Sequence, residues 1–243
     1  FNTSARIAEI LRDMGLEPQT GIAHTGIVAY IEGGKPGPLV AIRTDIDGLP
    51  VEEQTGLPFA STVRSEYNGQ DVGVMHACGH DAHMAMVLGA AKILNDMKAD
   101  LNGSVMLIFQ PAEEGPPVGE DGGASMMLDE GIFAERMPAA VFGMHVGIST
   151  PGGQFSVKPG PMMAASDGFK ITVKGKQTHG ARPWDGVDPV VVSSQIVMGL
   201  QTIASRQVDV TLAPSIISVG RITGGVRYNV IPDDVTMEGT IRT

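Results

Sequence analysis

Three short apolar runs, Leu39–Ile42, Val105–Phe109 and Ala139–Phe142, constrain what this chain can fold into more than any other feature. Each is nearly continuous rather than alternating. A strand with one wet face alternates apolar and polar residues, and a strand covered on both faces does not. The runs therefore read as inner strands of a largely parallel sheet, with Gly26–Ile31 as a further strand. Between two of them Met84, Val87, Leu88, Ala91 and Leu94 recur at helical spacing. A second helix is expected over Ser4–Met14, where Ile7, Ile10, Leu11 and Met14 share a face and Gly15 is a natural stop. Strands alternating with helices make an α/β domain of a mixed, largely parallel sheet flanked by helices.

The pattern changes near Pro159–Met163. Phe169–Val173 alternates strictly, as a strand with one open face does. A helical stretch follows from Pro189 to Ser205, carrying Val192, Ile196, Leu200 and Ile203, and then two strand-like runs, Ile216–Ile222 and Val235–Ile241. Strand, helix, strand, strand is most of a small α+β open-faced sandwich. The expected division is residues 1–162 for the α/β domain and 163–243 for the smaller one.

The chemistry collects at strand ends. Leu39–Ile42 runs into Asp45 and Asp47, Val105–Phe109 into Glu113 and Glu114, and Ala139–Phe142 into His145. Ligands of open α/β sheets bind beyond the carboxyl ends of the strands, so parallel strands would gather these residues on one edge. A fourth cluster, His76-Ala77-Cys78-Gly79-His80-Asp81-Ala82-His83, precedes the helix. Cys78 and His80, two apart in an extended segment, would point to one face. A thiolate, imidazoles and carboxylates from separate segments make a divalent-metal site, with His76 and His83 read as surface or supporting groups.

Composition narrows the partners. A net charge of −10 argues against binding a phosphate backbone. Cys78 is the one cysteine, so no intrachain disulfide forms, and a reducing compartment is expected. No apolar run approaches the roughly 20 residues that span a bilayer. The first residues form an amphipathic pattern rather than a secretory signal, which points to the cytoplasm.

Several stretches together resemble the N-acyl-amino-acid amidohydrolases, a metallopeptidase family that includes hippurate hydrolases, aminoacylase-like enzymes and plant indoleacetyl-amino-acid hydrolases. They are RTDIDGLPVEE, MHACGHDAHMAMVLGAA, LIFQPAEEG, GGASMMLDEGIF, GMHV, GKQTHGARPW and RYNVIPD, in the expected order over nearly the whole chain. The resemblance implies a catalytic domain holding two divalent ions, zinc or manganese with cobalt or nickel as further options, and a lid that also dimerises. It implies Cys78, His80, Glu114 and His145 as metal ligands, Glu113 as general base, and Asp45 and Asp47 as groups orienting ligand imidazoles. In the lid it implies His179 as the donor to the tetrahedral oxyanion, in some dimeric members reaching across from the partner. Asn229 and Arg242 would contact the substrate, an N-acyl amino acid or small peptide, Arg242 through its carboxylate.

The resemblance also implies a chain that continues past the lid and returns to the catalytic domain with a further ligand histidine. His179 is the last histidine here, so the ligand set within this sequence is expected to be one short. Two rival readings follow: a truncated metal-binding or assembly module without turnover, and a thiol hydrolase with Cys78 as nucleophile and His80 or His145 as base.

Overall fold

The computed structural model describes residues 1–117, 119–209, 211–212 and 215–243. They form two compact units, Phe1–Gln154 and Phe155–Thr243. The division falls before the position expected near residue 163. Within the second unit Ala165 N–H donates to the Thr243 carbonyl at 2.7 Å.

The first unit runs α1 (Asn2–Asp13), β1 (Gln19–Ile22), β2 (Gly26–Glu32), β3 (Lys35–Asp45), β4 (Arg64–Tyr67), β5 (Gln70–Gly73), α2 (His80–Asp96), β6 (Asn102–Gln110), α3 (Gly123–Asp129) and β7 (Val141–Gly143). Its main sheet has the order β1-β2-β6-β3-β7, while β4 and β5 pair as a separate hairpin. β6 with β3, and β3 with β7, are parallel; β1 with β2, and β2 with β6, are antiparallel. The three continuous apolar runs are therefore the three parallel strands.

Their continuity has a direct cause. Along β6, Val105, Leu107 and Phe109 pack on one side with Ile7, Leu11, Val87 and Ala91 of the two long helices. Met106 and Ile108 pack on the other side with Met127 of α3. Successive side chains of a strand point to opposite faces, so two cores demand two apolar sets. Each fully buried leucine or isoleucine contributes about 1.5–3 kcal/mol relative to exposure.

β7 departs from its expected burial. Val141 and Phe142 are exposed, and among the described residues the strand pairs only with β3. It is an edge strand that carries an inner-strand sequence.

The second unit holds β8 (Ser166–Lys174), β9 (Thr178–His179), α4 (Pro189–Arg206), β10 (Ile216–Gly224), β11 (Val230–Ile231) and β12 (Asp234–Arg242). The sheet β10-β12-β8 is antiparallel throughout, and α4 packs against all three strands. Asp188 caps α4, its carboxylate accepting from Val190 N–H at 2.8 Å. Pro189 at the first helical position needs no such partner. Among the described residues no helix is long and apolar enough to cross a membrane.

Candidate metal centre

The parallel register brings the strand ends level. Asp45 pairs with Gln110 across β3 and β6, and Arg43 with Gly143 across β3 and β7. The loops that follow therefore leave one edge together, with Asp47, then Glu113 and Glu114, then His145.

Cys78 and His80 arrive differently from expectation. Their segment is a turn, not an extended strand. Gly79 caps α2 in the left-handed region (φ +83) and His80 is the helix's first residue. A side chain at Gly79 would strike Val146 Cγ2 at 2.4 Å, so glycine is required by conformation and by space. The turn nonetheless sets Cys78 Sγ, a His80 ring nitrogen and a Glu114 carboxylate oxygen within 4.8 Å of one another.

His80 is 1% exposed. Its Nδ1–H donates to the main-chain carbonyl of Asp47 at 2.9 Å, and Asp47 Oδ1 lies 3.2 Å from the same nitrogen. His76 Nδ1–H donates to that carbonyl as well, at 2.9 Å. With its proton on Nδ1, His80 turns a lone pair inward on Nε2, where no hydrogen bond reaches it. Around that atom stand Asp45 Oδ2 at 3.8 Å, Glu113 Oε2 at 3.9 Å and Glu114 Oε1 at 3.9 Å. The lone pair thus faces acceptors and no donor of its own, although Arg43 holds Asp45 Oδ2 at 2.9 Å and Glu113 and Glu114 are partly open to water. An arrangement of this kind is costly unless a cation sits among the groups.

His145 completes the cluster. Its Nδ1–H donates to the Val146 carbonyl at 2.7 Å, and Nε2 faces Cys78 Sγ at 3.4 Å. A hydrogen bond to the Glu114 carboxylate, then burial, then the charges of Glu114, Glu113 and Asp45 push the Cys78 thiol up to about 11. A thiol held protonated is a poor nucleophile, and a divalent cation would reverse the shift by favouring the thiolate.

The structure divides the two aspartates expected to orient ligand imidazoles. Asp47 does hold His80, largely through its main chain, and its Oδ2 accepts Glu114 N–H at 3.1 Å. Asp45 instead accepts from His83 Nδ1–H at 2.7 Å and from Arg43 at 2.9 Å. Burial alone would raise the Asp45 carboxyl; the hydrogen bond from His83 and the charge of Arg43 act against it, and the group is held below the usual carboxylate range. His83, read from sequence as a surface or supporting group, is 1% exposed, and both its ring nitrogens are engaged, Nε2 accepting Val146 N–H at 2.9 Å. No local period marks this role, because its partners lie 38 and 63 residues away.

An open groove of about 830 Å³ runs along this edge from Asp47 and Glu114 to the β1–β2 turn. There Ala23 (φ 44) and His24 (φ 72) both adopt left-handed backbone without being glycine. Glu130 anchors the turn by accepting Ala23 N–H at 2.8 Å.

In the second unit, β9 pairs with β11, setting His179 opposite Val230 and beside Asn229, whose carbonyl accepts Gly180 N–H at 2.9 Å. His179 Nδ1 accepts Ala181 N–H at 3.0 Å, which leaves the ring proton on Nε2. Arg242 does not join them. It ends β12 opposite Ser166, to which it hydrogen-bonds, whereas the β9–β11 pair lies beyond the Asp234 end. At about 3.3 Å per residue the two ends of β12 are roughly 26 Å apart.

Residues 41–234 match the sequence profile of peptidase family M20/M25/M40. The chain belongs to this family. It is 46% identical over 244 residues to thermostable carboxypeptidase 1 of Saccharolobus solfataricus, covering 100% of this chain and 58% of that protein. Identity to the N-acetyl-L-cysteine deacetylase of Bacillus subtilis is 43%, covering 100% of this chain and 55% of the relative. The crystal structure of the Bacillus subtilis YXEP protein, described as a dinuclear metal-binding peptidase of the M20 family, matches with TM-score 0.76 and 40% identity, over 100% of this chain and 58% of that one. This M20 chain thus spans a little over half the length of the relatives it matches.

Proposed function

We propose that the chain carries most of the catalytic centre of a metal-dependent amidohydrolase that cleaves the amide bond of N-acyl amino acids or small peptides. The observation that carries this reading is the set of acceptors around His80 Nε2, a buried lone pair that has no hydrogen-bond partner and faces oxygens of three carboxylates. Cys78, His80, Glu114 and His145 would hold the metal. Their mixture of thiol, imidazole and carboxylate suits zinc or manganese. A pair of ions is in keeping with the dinuclear relative.

When bound, a divalent ion supplies Lewis acidity, lowering the pKa of a water and polarising a carbonyl. The protein's own groups do the rest. Glu113, near the cluster but outside the Cys78–His80–Glu114 triad, would take the proton from the attacking water and return it to the leaving amine. His179, with a proton on an outward Nε2, is equipped to donate to the oxyanion. Asn229 beside it would contact the substrate, and Arg242 would pair bidentately with its carboxylate. The groove beside Glu114 is large enough for such a molecule.

The placement of Arg242 at one end of β12 and of the His179–Asn229 pair beyond the other favours a homodimer, since one lid would not present both groups to one small substrate. Each lid would then serve two centres, one with each end. The thiol-hydrolase alternative is disfavoured by the Cys78 thiol, pushed up to about 11.

The test is elemental analysis of chelator-free protein beside the Cys78→Ser, Glu114→Gln double variant, with hydrolysis of hippurate and N-acetyl amino acids assayed in the same preparations. Stoichiometric metal that the variant loses, with chelator-sensitive turnover, is expected. Metal without turnover would reduce the chain to a binding module. No metal in either protein would sink the assignment.

A further inference from the structure

We propose that a hydrogen-bonded relay, Gln110–Arg43–Asp45–His83–Val146, buried at Gln110, Asp45 and His83, sets the position of His145, with His83 as its positioning residue. The relay can be followed atom by atom. Arg43 Nε donates to Gln110 Oε1 at 2.8 Å, and another Arg43 nitrogen donates to Asp45 Oδ2 at 2.9 Å. Asp45 Oδ1 accepts from His83 Nδ1–H at 2.7 Å, and His83 Nε2 accepts from Val146 N–H at 2.9 Å. It joins the ends of β3 and β6, the first turn of α2 and the segment after β7. These are the elements from which the proposed ligands and base project.

The last link fixes a direction as well as a distance. Val146 gives its N–H to His83 and its carbonyl to His145 Nδ1–H, the latter at 2.7 Å. The peptide unit His83 grips therefore joins His145 to Val146, whose carbonyl, in the next unit, orients the His145 ring and leaves Nε2 aimed at Cys78. The two rings meet edge to face with centroids 4.6 Å apart. Bare Gly79 lets the Val146 side chain settle against the turn that carries Cys78.

Asp45, His80 and His83 also lie within coordinating reach of one another. His83 is nonetheless not a ligand: with Nδ1–H given to Asp45 and Nε2 filled by Val146 N–H, it has no lone pair to offer. It acts through His145. Supporting groups of this type change metal affinity by about 10–100-fold.

The proposal rests on His145 being a ligand, and its test separates the two ideas. Cobalt(II) affinity would be measured by calorimetry on the metal-free 243-residue chain and on His83→Phe and His83→Gln. Exchange of the Val146 amide would be followed by NMR in the same metal-free proteins. In His83→Phe, cobalt is expected to bind about 10–100-fold more weakly, with faster Val146 exchange and an unchanged far-UV circular dichroism spectrum. His83→Gln should recover most of both, because its amide accepts from Val146 and donates to Asp45. Wild-type affinity and exchange in His83→Phe would overturn the proposal, and so would equal losses in both variants. If the wild type binds no cobalt, the metal reading fails, while Val146 exchange still decides whether His83 holds that peptide.

Discussion

The histidines at the heart of the first unit and the histidine of the second live under opposite conditions. In the first unit Asp45 and His83 are sealed from water and bonded on every side, and His80 is sealed with one atom left open. In the second, His179 stands on the surface, as do its neighbours Trp184 and Tyr228. The first arrangement is preorganised: its geometry is fixed before any ligand comes. The second presents chemistry outward, and its groups gain low-dielectric strength only once another surface excludes water from them. A substitution in the sealed set of the first unit should therefore register in metal binding and stability, and one at the exposed groups of the second in turnover alone.

The largest expected effect lies at the open side of the buried cluster. Glu113→Gln should lower kcat by about 10²–10⁴-fold and leave metal content intact, as a general base does. Loss of metal along with activity would instead make Glu113 a ligand. Next, His179→Ala should lower kcat by about 10²–10³-fold with cobalt affinity and thermal stability unchanged. A stability loss there would erase the contrast between the units.

A pH titration of stability sharpens the contrast further. The folded-state pKa of Asp45 is depressed, so its stabilising contribution is present above the unfolded value near 4 and is lost as pH falls through the lower folded value. Metal-free wild type should lose stability on acidification through that window more steeply than Asp45→Asn, as read by urea midpoints at a series of pH values. Parallel curves would mean that the His83 and Arg43 bonds do not favour the ionised form. The smallest effect belongs to the strained turn. His24→Gly should raise stability by about 0.5–1 kcal/mol, because glycine takes the left-handed backbone freely while giving back part of the gain as chain entropy. No gain would mean that the histidine side chain contributes something that offsets its strain.

Much of the first unit was legible in the sequence because strand burial writes itself locally. Val105–Phe109 faces two cores, so its continuity alone announced a covered strand. The gathering of Asp47, Glu114 and His145 followed from parallel strands without further information. β7 shows the limit of that logic: its apolar residues match an inner strand, yet Val141 and Phe142 stand exposed, because composition records what a segment is suited to cover and not what covers it. The approach of Cys78 to His80 was anticipated for the wrong reason, since a glycine-pivoted turn does what an extended segment was expected to do. The choice between surface and supporting group was left open for His83 because its partners are remote in sequence and one of them is a main-chain N–H, which any residue but proline supplies. The distance from Arg242 to His179 was hidden for a related reason: motif order says nothing about which end of a strand a residue occupies.

The shared register of β3, β6 and β7 makes the sheet a ruler for the proposed metal centre. Insertion of one residue into β6 would exchange the faces of Leu107 and Ile108 and also carry Glu113 and Glu114 forward by about 3.3 Å. Metal–ligand distances tolerate only about 0.2 Å. On the proposed ligand set, the length of these strands is therefore held by two independent constraints, core sorting and coordination. A lineage of such proteins is free to change residues within β3 and β6 but not to change how many there are, and its variation in length must collect in the turns.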